Sequence, residues 1–296
     1  ISIIVVNLYP FSETVAGASH TVDDAIENID IGGVSLIRAG FKNYKNVLTL
    51  TNPEQYEEVM NSFEKYNEEE ERKKQAVKAM QYICTYDMNI ANYFDKDSEI
   101  VYREYTKESG LKYGCNPHQS QNCSIYSTNI KYPFKVLNGK PGYINYLDAI
   151  QSWCLVTELS SIIKKPCAAS FKHTTPAGVG TSNPLLSVYD ELYKIDSENL
   201  SPTSIAFIRA RTADPLSSFG DFIAISERVE KETALLIKRE VSDGIIAKDY
   251  SDEALEILSA KKKGKYIILK GDENIIQNLR ENVEFRELNG IALSQQ

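Results

Sequence analysis

The sequence predicts an α/β protein of two domains. Three observations carry that expectation. Strand-like and helix-like segments alternate along the chain. The strand-like runs are short and apolar, as in sheets covered on both faces. The length, 296 residues, suits about two domains of roughly 100–200 residues each.

Ile1–Val6 is a β-branched apolar run closed off by Pro10, and it reads as a buried strand. It has no Met and no polar lead-in, so further sequence is expected upstream. Thr21 and Asp24 give a capping-box signal for a helix to about Asn28. Gly32-Gly33 precede a second helical pattern through Leu36, Ile37 and Phe41. Val47–Leu50 is a short strand. Asn52-Pro53 is an N-cap with Pro at the first helical position, opening a helix to about Tyr66. The charged stretch 67–75 reads as a solvated helix start. Val77, Met80, Cys84, Met88, Ala91 and Phe94 follow at helical spacing and are expected to form a core stripe. Around 95–112 the pattern weakens: Asp95–Ser98 and Lys107–Gly110 look like connector. A domain boundary is placed near residue 105, giving domains 1–105 and 106–296.

The second part repeats the alternation. Helices are expected over 147–163, 185–195, 227–240 and 252–262. Strands are expected at Ala168–Phe171, Phe222–Ile225, Gly244–Ala247 and Tyr266–Leu269. The last helix ends on Lys261–Lys263 before Gly264, where cations complement the helix dipole.

A net charge of −8 makes non-specific nucleic-acid binding a poor expectation but leaves small anionic ligands open. The five cysteines are scattered, without a CxxC pair, which favours reduced thiols in the cytosol. Cys115, His118 and Cys123 lack a fourth ligand at usable spacing, so no metal is predicted. No apolar run suits a membrane span and no signal peptide is read. There is no GxGxxG, P-loop or HExxH to support nicotinamide chemistry, ATP hydrolysis or a zinc peptidase.

Histidines are only three: His20, His118 and His173. Two lie in segments dense in turn formers, Tyr113–Gln119 and Phe171–Gly178. Lys172-His173 follows a strand, and ligands of open α/β sheets sit beyond the carboxyl ends of strands. A lysine beside the imidazole favours its neutral, proton-accepting form. Asp214–Asp221 and Glu240–Gly244 combine small residues with carboxylates next to strands. Turn chemistry and hydrogen bonding to ribose hydroxyls are both open for them.

Long motifs then carry a resemblance. Asn7-Leu-Tyr-Pro-Phe11, Glu27–Gly33 and Arg38–Asn43 resemble the cyclohydrolase domain of the bifunctional AICAR transformylase/IMP cyclohydrolase family. Tyr113–Gln119, Asn138–Asn145, Phe171–Gly178, Ser217–Phe222 and Arg239–Ala247 resemble its transformylase part, in family order. The resemblance implies an incomplete methylglyoxal-synthase-like, Rossmann-type domain followed by a cytidine-deaminase-like transformylase lobe without zinc. It implies formyl-tetrahydrofolate as co-substrate, the purine nucleotides AICAR, its formylated product and IMP as ligands, and a cytosolic homodimer with sites built between chains. By the resemblance Lys42 is the acid/base of ring closure, with Asn7, Tyr9, Asp30 and Ile31 holding the nucleotide. His173 is the base of formyl transfer and Lys172 its cationic neighbour. Lys112, Tyr113, Asn145, Gly220 and Asp243 fall on nucleotide-binding positions. Two departures stand out: Lys112 replaces the family's phosphate-gripping Arg and lacks its bidentate fork, and Gly40-Phe41 with Tyr44 surround Lys42 where the family has small residues and His. The family's chain is about twice as long, so this chain alone is expected to be inactive or nearly so in both reactions. A second reading is a non-catalytic nucleotide-binding protein that keeps the fold.

Overall fold

The structure, a computed structural model, describes residues 1–95, 99–128, 132–275 and 283–295. Part of the expected connector, residues 96–98, lies outside the described residues. The chain forms two units, Ile1–Glu104 and Tyr105–Gln296.

In the first unit β1 (Ile3–Val5) leads through α1 (Phe11–Ala16), α2 (Val22–Glu27) and α3 (Gly32–Lys42) to β2 (Leu48–Leu50), which pairs parallel with β1. α4 (Tyr56–Asn61), α5 (Phe63–Tyr66) and the long α6 (Glu69–Phe94) follow. The capping box of α2 forms as expected: Thr21 Oγ1 accepts from the Asp24 N–H and Asp24 Oδ2 from the Thr21 N–H. The single helix expected after Asn52 is instead a 3-10 turn, α4 and α5. Ser62 leaves the helical region at φ −134°, ψ 35°. The break lets both Val59 and Tyr66 pack on Leu48 and Leu50, which one straight helix would not.

The core stripe of α6 also differs from the expected one. Gln75, Ala76, Ala79, Ile83 and Tyr86 are buried, whereas Val77, Cys84, Ala91 and Phe94 are exposed. Small residues decide this: Ala79, with Ile83 and Tyr86, lets the helix close on Ile37, Leu8 and Phe11.

The second unit begins with β3 (Thr106–Gly110), within the expected connector region, which pairs antiparallel with β4 (Ser124–Ser127). Then come β5 (Phe134–Asn138), α7 (Tyr143–Ile163), β6 (Cys167–Lys172), β7 (Thr175–Thr181), α8 (Val188–Tyr193) and α9 (Pro202–Thr212). β8 (Asp221–Val229), α10 (Lys231–Arg239), β9 (Ser242–Tyr250), α11 (Asp252–Ser259) and β10 (Ile267–Gly271) complete the core. A hairpin of β11 (Glu284–Leu288) and β12 (Ile291–Gln295) comes last.

Six strands form a mixed sheet in the order β5-β10-β9-β8-β6-β7. β8, β9 and β10 are parallel; β5 and β6 run against their neighbours. The chain is thus α/β, as expected. Alternate strand residues feed opposite faces. Ala168, Ile223, Ile225, Ile245, Ala247 and Ile268 pack under α9, α10 and α11. Ala169, Phe171, Phe222, Ala224, Ile246 and Leu269 pack under α7 and the wholly buried Trp153.

Several elements depart from expectation. Glu227–Val229 extend β8 rather than opening α10, because Val229 is buried in the sheet core. α11 stops at Ser259, and Lys262 and Lys263 take left-handed backbone (φ 48° and 56°). The lysines therefore do not cap α11. Lys261 Nζ instead donates to the Ile237 and Glu240 carbonyls, at the end of α10. β7 and α9 are unexpected. They meet at Gly178 and Gly180, where a Cβ would collide with the Ala210 and Ala206 carbonyl oxygens.

Gly178→Ala or Gly180→Ala is therefore expected to destabilise the second unit by about 1–3 kcal/mol through overpacking. Fluorescence of the sole tryptophan, Trp153, during urea unfolding measures this; an unchanged midpoint would refute the close helix–strand approach.

Candidate functional site

Because β6 is antiparallel to β8, its carboxyl end meets the amino ends of β8 and β9. Phe171 pairs with Phe222, and Asp221 with Ser242. Lys172-His173, Gly220 and Asp243 thus share one end of the sheet. The expected placement beyond strand carboxyl ends holds for β6 alone; for the parallel strands it is the amino end.

Lys172 pairs with Thr175 across a two-residue turn, and both turn residues have left-handed backbone: His173 at φ 53° and Thr174 at φ 65°. Such turns favour Asn-Gly. A β-branched residue at positive φ is an outlier, and strain of this kind costs of order 1–3 kcal/mol per residue. It persists only where the surroundings enforce it. Here the buried Asp148 of α7 does so, its Oδ1 accepting the Thr174 N–H at 2.6 Å. Burial pushes the Asp148 carboxyl up; the Thr174 N–H and the nearby His173 oppose that, and Asp243 adds to it. The His173 side chain is exposed.

Neighbouring loops are tied in. Lys172 Nζ donates to the Phe219 carbonyl at 2.6 Å, beside Gly220. Gly220, at φ 76°, donates its N–H to the Val241 carbonyl at 2.9 Å, two residues before Asp243. The exposed Asp243 pairs with Lys262.

The helix α7 links this cluster to a second one. Asn145 and Asp148 are three residues apart, on one face, about 4.5 Å along the axis. Asn145 Oδ1 accepts the Gly142 N–H at 2.9 Å. The Tyr113 ring lies against Gly142, and the Tyr113 carbonyl accepts the Tyr143 N–H at 3.2 Å. Lys112 Nζ sits 5.4 Å from the Tyr113 ring centroid.

Beneath these loops lies a polar hub. Arg211 of α9 pairs with the fully buried Asp221 at 2.5 Å and with Glu240 at 2.9 Å, and donates to the Val241 carbonyl at 3.1 Å. Asp221 Oδ2 accepts from Ser170, whose oxygen is 2.9 Å from that of Ser218. Burial pushes the Asp221 carboxyl up, while Arg211 and Ser170 pull it back. Of the readings open for Asp214–Asp221, turn chemistry is the one observed: Asp214 holds the Ser217 N–H and hydroxyl, and Asp221 is taken by Arg211.

In the first unit Asn7, Tyr9, Asp30 and Ile31 follow the carboxyl end of β1 or precede α3. Asn7 accepts from the Tyr56 hydroxyl at 2.6 Å. Asp30 Oδ1 accepts the Gly33 N–H at 2.6 Å, and Gly33 lies between Asp30 and Leu8. Tyr86 Oη accepts the Asp30 N–H and donates to the Asn28 carbonyl. Tyr9 and Ile31 are exposed. Lys42 ends α3, roughly 15 Å of helix from Asp30, so the chain does not bring it to this cluster. His20 is bonded to the Gly17 carbonyl and the Tyr93 hydroxyl.

The model of the family described as the AICARFT/IMPCHase bienzyme matches residues 40–296. The chain belongs to the AICARFT/IMPCHase bienzyme family. It is similar to the bifunctional purine biosynthesis protein PurH of Leptospira biflexa, with 36% identity over 284 residues, 92% of this chain and 51% of that protein. The PurH proteins of Thermoanaerobacter sp. (35% over 281 residues, 91% and 51%) and Halalkalibacterium halodurans (34% over 284 residues, 92% and 51%) are comparably similar. The chain spans about half the length of the curated relatives it matches.

Within this bienzyme-family chain, sequence reasoning missed Asp148 and Arg211. Asp148 carries a signal: a carboxylate between Tyr146-Leu147 and Ala149-Ile150 on an apolar helix face. Arg211 carries none, since it closes a helix that the pattern did not reveal. Among the described residues no three His, Cys, Asp or Glu side chains converge on a metal-sized site; Cys123 Sγ donates to the Gln119 carbonyl. No described helix is long and apolar enough to cross a membrane.

Removing one member of the hub strands the other charge. Arg211→Met is expected to cost about 3–5 kcal/mol. Arg211→Met with Asp221→Leu is expected to cost less than the sum of the single changes, read from urea unfolding of the single and double variants.

Proposed function

We propose that the chain carries parts of two sites of purine nucleotide synthesis: formyl transfer from formyl-tetrahydrofolate to AICAR, and cyclisation of the formylated product to IMP. The reading assigns residues 1–105 to a methylglyoxal-synthase-like cyclohydrolase domain. It assigns 106–296 to the first, cytidine-deaminase-like part of a transformylase domain. Membership of the bienzyme family and the PurH names of its relatives support it. The observation that carries it is the strained His173-Thr174 turn, which presents Lys172 and His173 beside Gly220 and Asp243.

The chemistry suits those groups. The AICAR amine is conjugated with its ring and is a weak nucleophile. Its nitrogen attacks the formyl carbon, and His173 takes the proton it sheds. The Lys172 ammonium faces the oxygen that gains negative charge. The carbonyl re-forms as the bond to the folate nitrogen breaks, and that nitrogen leaves with the proton that His173 took from the amine. Asp243 accepts from ribose hydroxyls, Gly220 permits close backbone approach, and Asn145 with Lys112-Tyr113 holds the remainder of the nucleotide. Lys112 meets phosphate as a point charge.

For ring closure, Asn7, Tyr9, Asp30 and Ile31 form the nucleotide-binding rim, and Lys42 is the acid/base. Its distance from Asp30 fits a site completed by a second copy in a cytosolic homodimer. The 296-residue chain by itself is expected to bind nucleotide without turning it over.

Calorimetry with AICAR and with IMP tests the reading. AICAR is expected to bind about tenfold more weakly to Asp243→Ala, the loss of one charge-assisted hydrogen bond. His173→Ala is expected to change AICAR affinity less, since its contribution belongs to the transition state. Binding of neither nucleotide, or equal binding by all variants, would overturn the assignment. Clear turnover by this chain that disappears in His173→Ala would overturn the expectation that it is inactive alone.

A further inference from the structure

Asp148 has an environment that its fold role does not require. It projects from α7 into a buried position beside Tyr146, Ala149 and Ser152, where an apolar residue would complete the helix face. Its Oδ1 accepts the Thr174 N–H at 2.6 Å, at the apex of a turn whose two residues both have positive φ. Burial disfavours its charge. The Thr174 N–H opposes that cost first, and the nearby His173 second.

We infer that Asp148 is a positioning residue for His173: its carboxylate holds the two-residue turn through the Thr174 N–H and faces the imidazole with a negative charge when the ring takes a proton. This rests on the formyl-transfer reading above and deepens it. The electrostatic coupling is reciprocal, so whatever a protonated ring does for the carboxylate, the carboxylate does for the ring. The other charged groups around the turn leave this role to Asp148. Lys172, the adjacent residue, opposes protonation and is drawn to the Phe219 carbonyl. Asp243 of β9 is exposed and already paired with Lys262. Asp148 is both buried and bonded to the turn itself, so its charge is screened least.

In the proposed reaction one proton passes from the substrate amine to His173, and none passes to Asp148. The carboxylate lowers the free energy of the imidazolium at that step and fixes the direction in which the ring emerges.

The test uses the 296-residue chain without any ligand. Its three histidines give three imidazole titrations resolvable by NMR, and His173→Ala identifies the one of interest. In Asp148→Asn the amide oxygen still accepts the Thr174 N–H, so only the charge is lost. The His173 midpoint is expected to fall by about half a unit to one unit, while His20 and His118 stay put. In Asp148→Ala the same fall is expected together with at least about tenfold faster hydrogen exchange at the Thr174 amide. An unchanged His173 midpoint in a folded Asp148→Asn protein overturns the inference. Should that variant not fold, His173→Gln gives the reciprocal readout, an upward shift of the Asp148 carboxyl titration; no shift there overturns the inference equally. Neither readout needs nucleotide or folate. Their failure therefore leaves the calorimetric test of the function untouched, and the converse holds too.

Discussion

The Arg211 guanidinium lies 8% exposed against the wholly buried Asp221 carboxylate, and the loops at one end of the sheet depend on that contact. A planar five-donor fork can serve several acceptors at fixed angles, which an ammonium cannot. Here it reaches the start of β8, Glu240 and the Val241 carbonyl, while Asp221 turns its second oxygen to Ser170 of β6. The segments around 214–220 and 240–243 offer little apolar surface of their own. Leu216, Phe219 and Val241 are all exposed. Charge pairing in a low-dielectric setting does for these loops what hydrophobic packing does for the strands. An apolar replacement of equal volume can hold the layers together, but it does not dictate where Gly220 and Asp243 point.

The central strands were legible because their signal is intrinsic. Ile223-Ala224-Ile225 and Ile245-Ile246-Ala247 are apolar without interruption, since both faces are covered. The capping residues Thr21 and Asn52 were legible for a local reason: a side chain bonds a backbone two or three residues away. What depends on a partner was not. Gly178 and Gly180 look like turn residues until α9 is seen lying directly over them. The helix α9 has Ser201 and Pro202 as a readable start, but Ala206 and Ala210 give no apolar stripe to follow. In α6 the larger side chains suggested one face as the core, and the smaller Ala76 and Ala79 took the other.

The candidate site divides in the same way. Lys172-His173 and Asp243 stand out in the sequence as chemistry-bearing residues near strand ends. Their convergence follows from β6 running antiparallel to β8, a direction that composition does not encode. The contribution of Asp148 was hidden because it acts from another element across the sheet end. By contrast, the spacing of Asp30 and Lys42 is set by a single helix, so their separation follows directly once α3 is drawn.

The two-residue turn between β6 and β7 has a consequence for any effort to make this chain more heat-tolerant. A search for stabilising substitutions would arrive at positions 173 and 174 early, because Asn-Gly relieves left-handed strain that His-Thr retains. The relief would remove the exposed His173 ring from the turn that displays it. Under the proposed function, robustness and chemistry therefore ask for different residues at the same two positions.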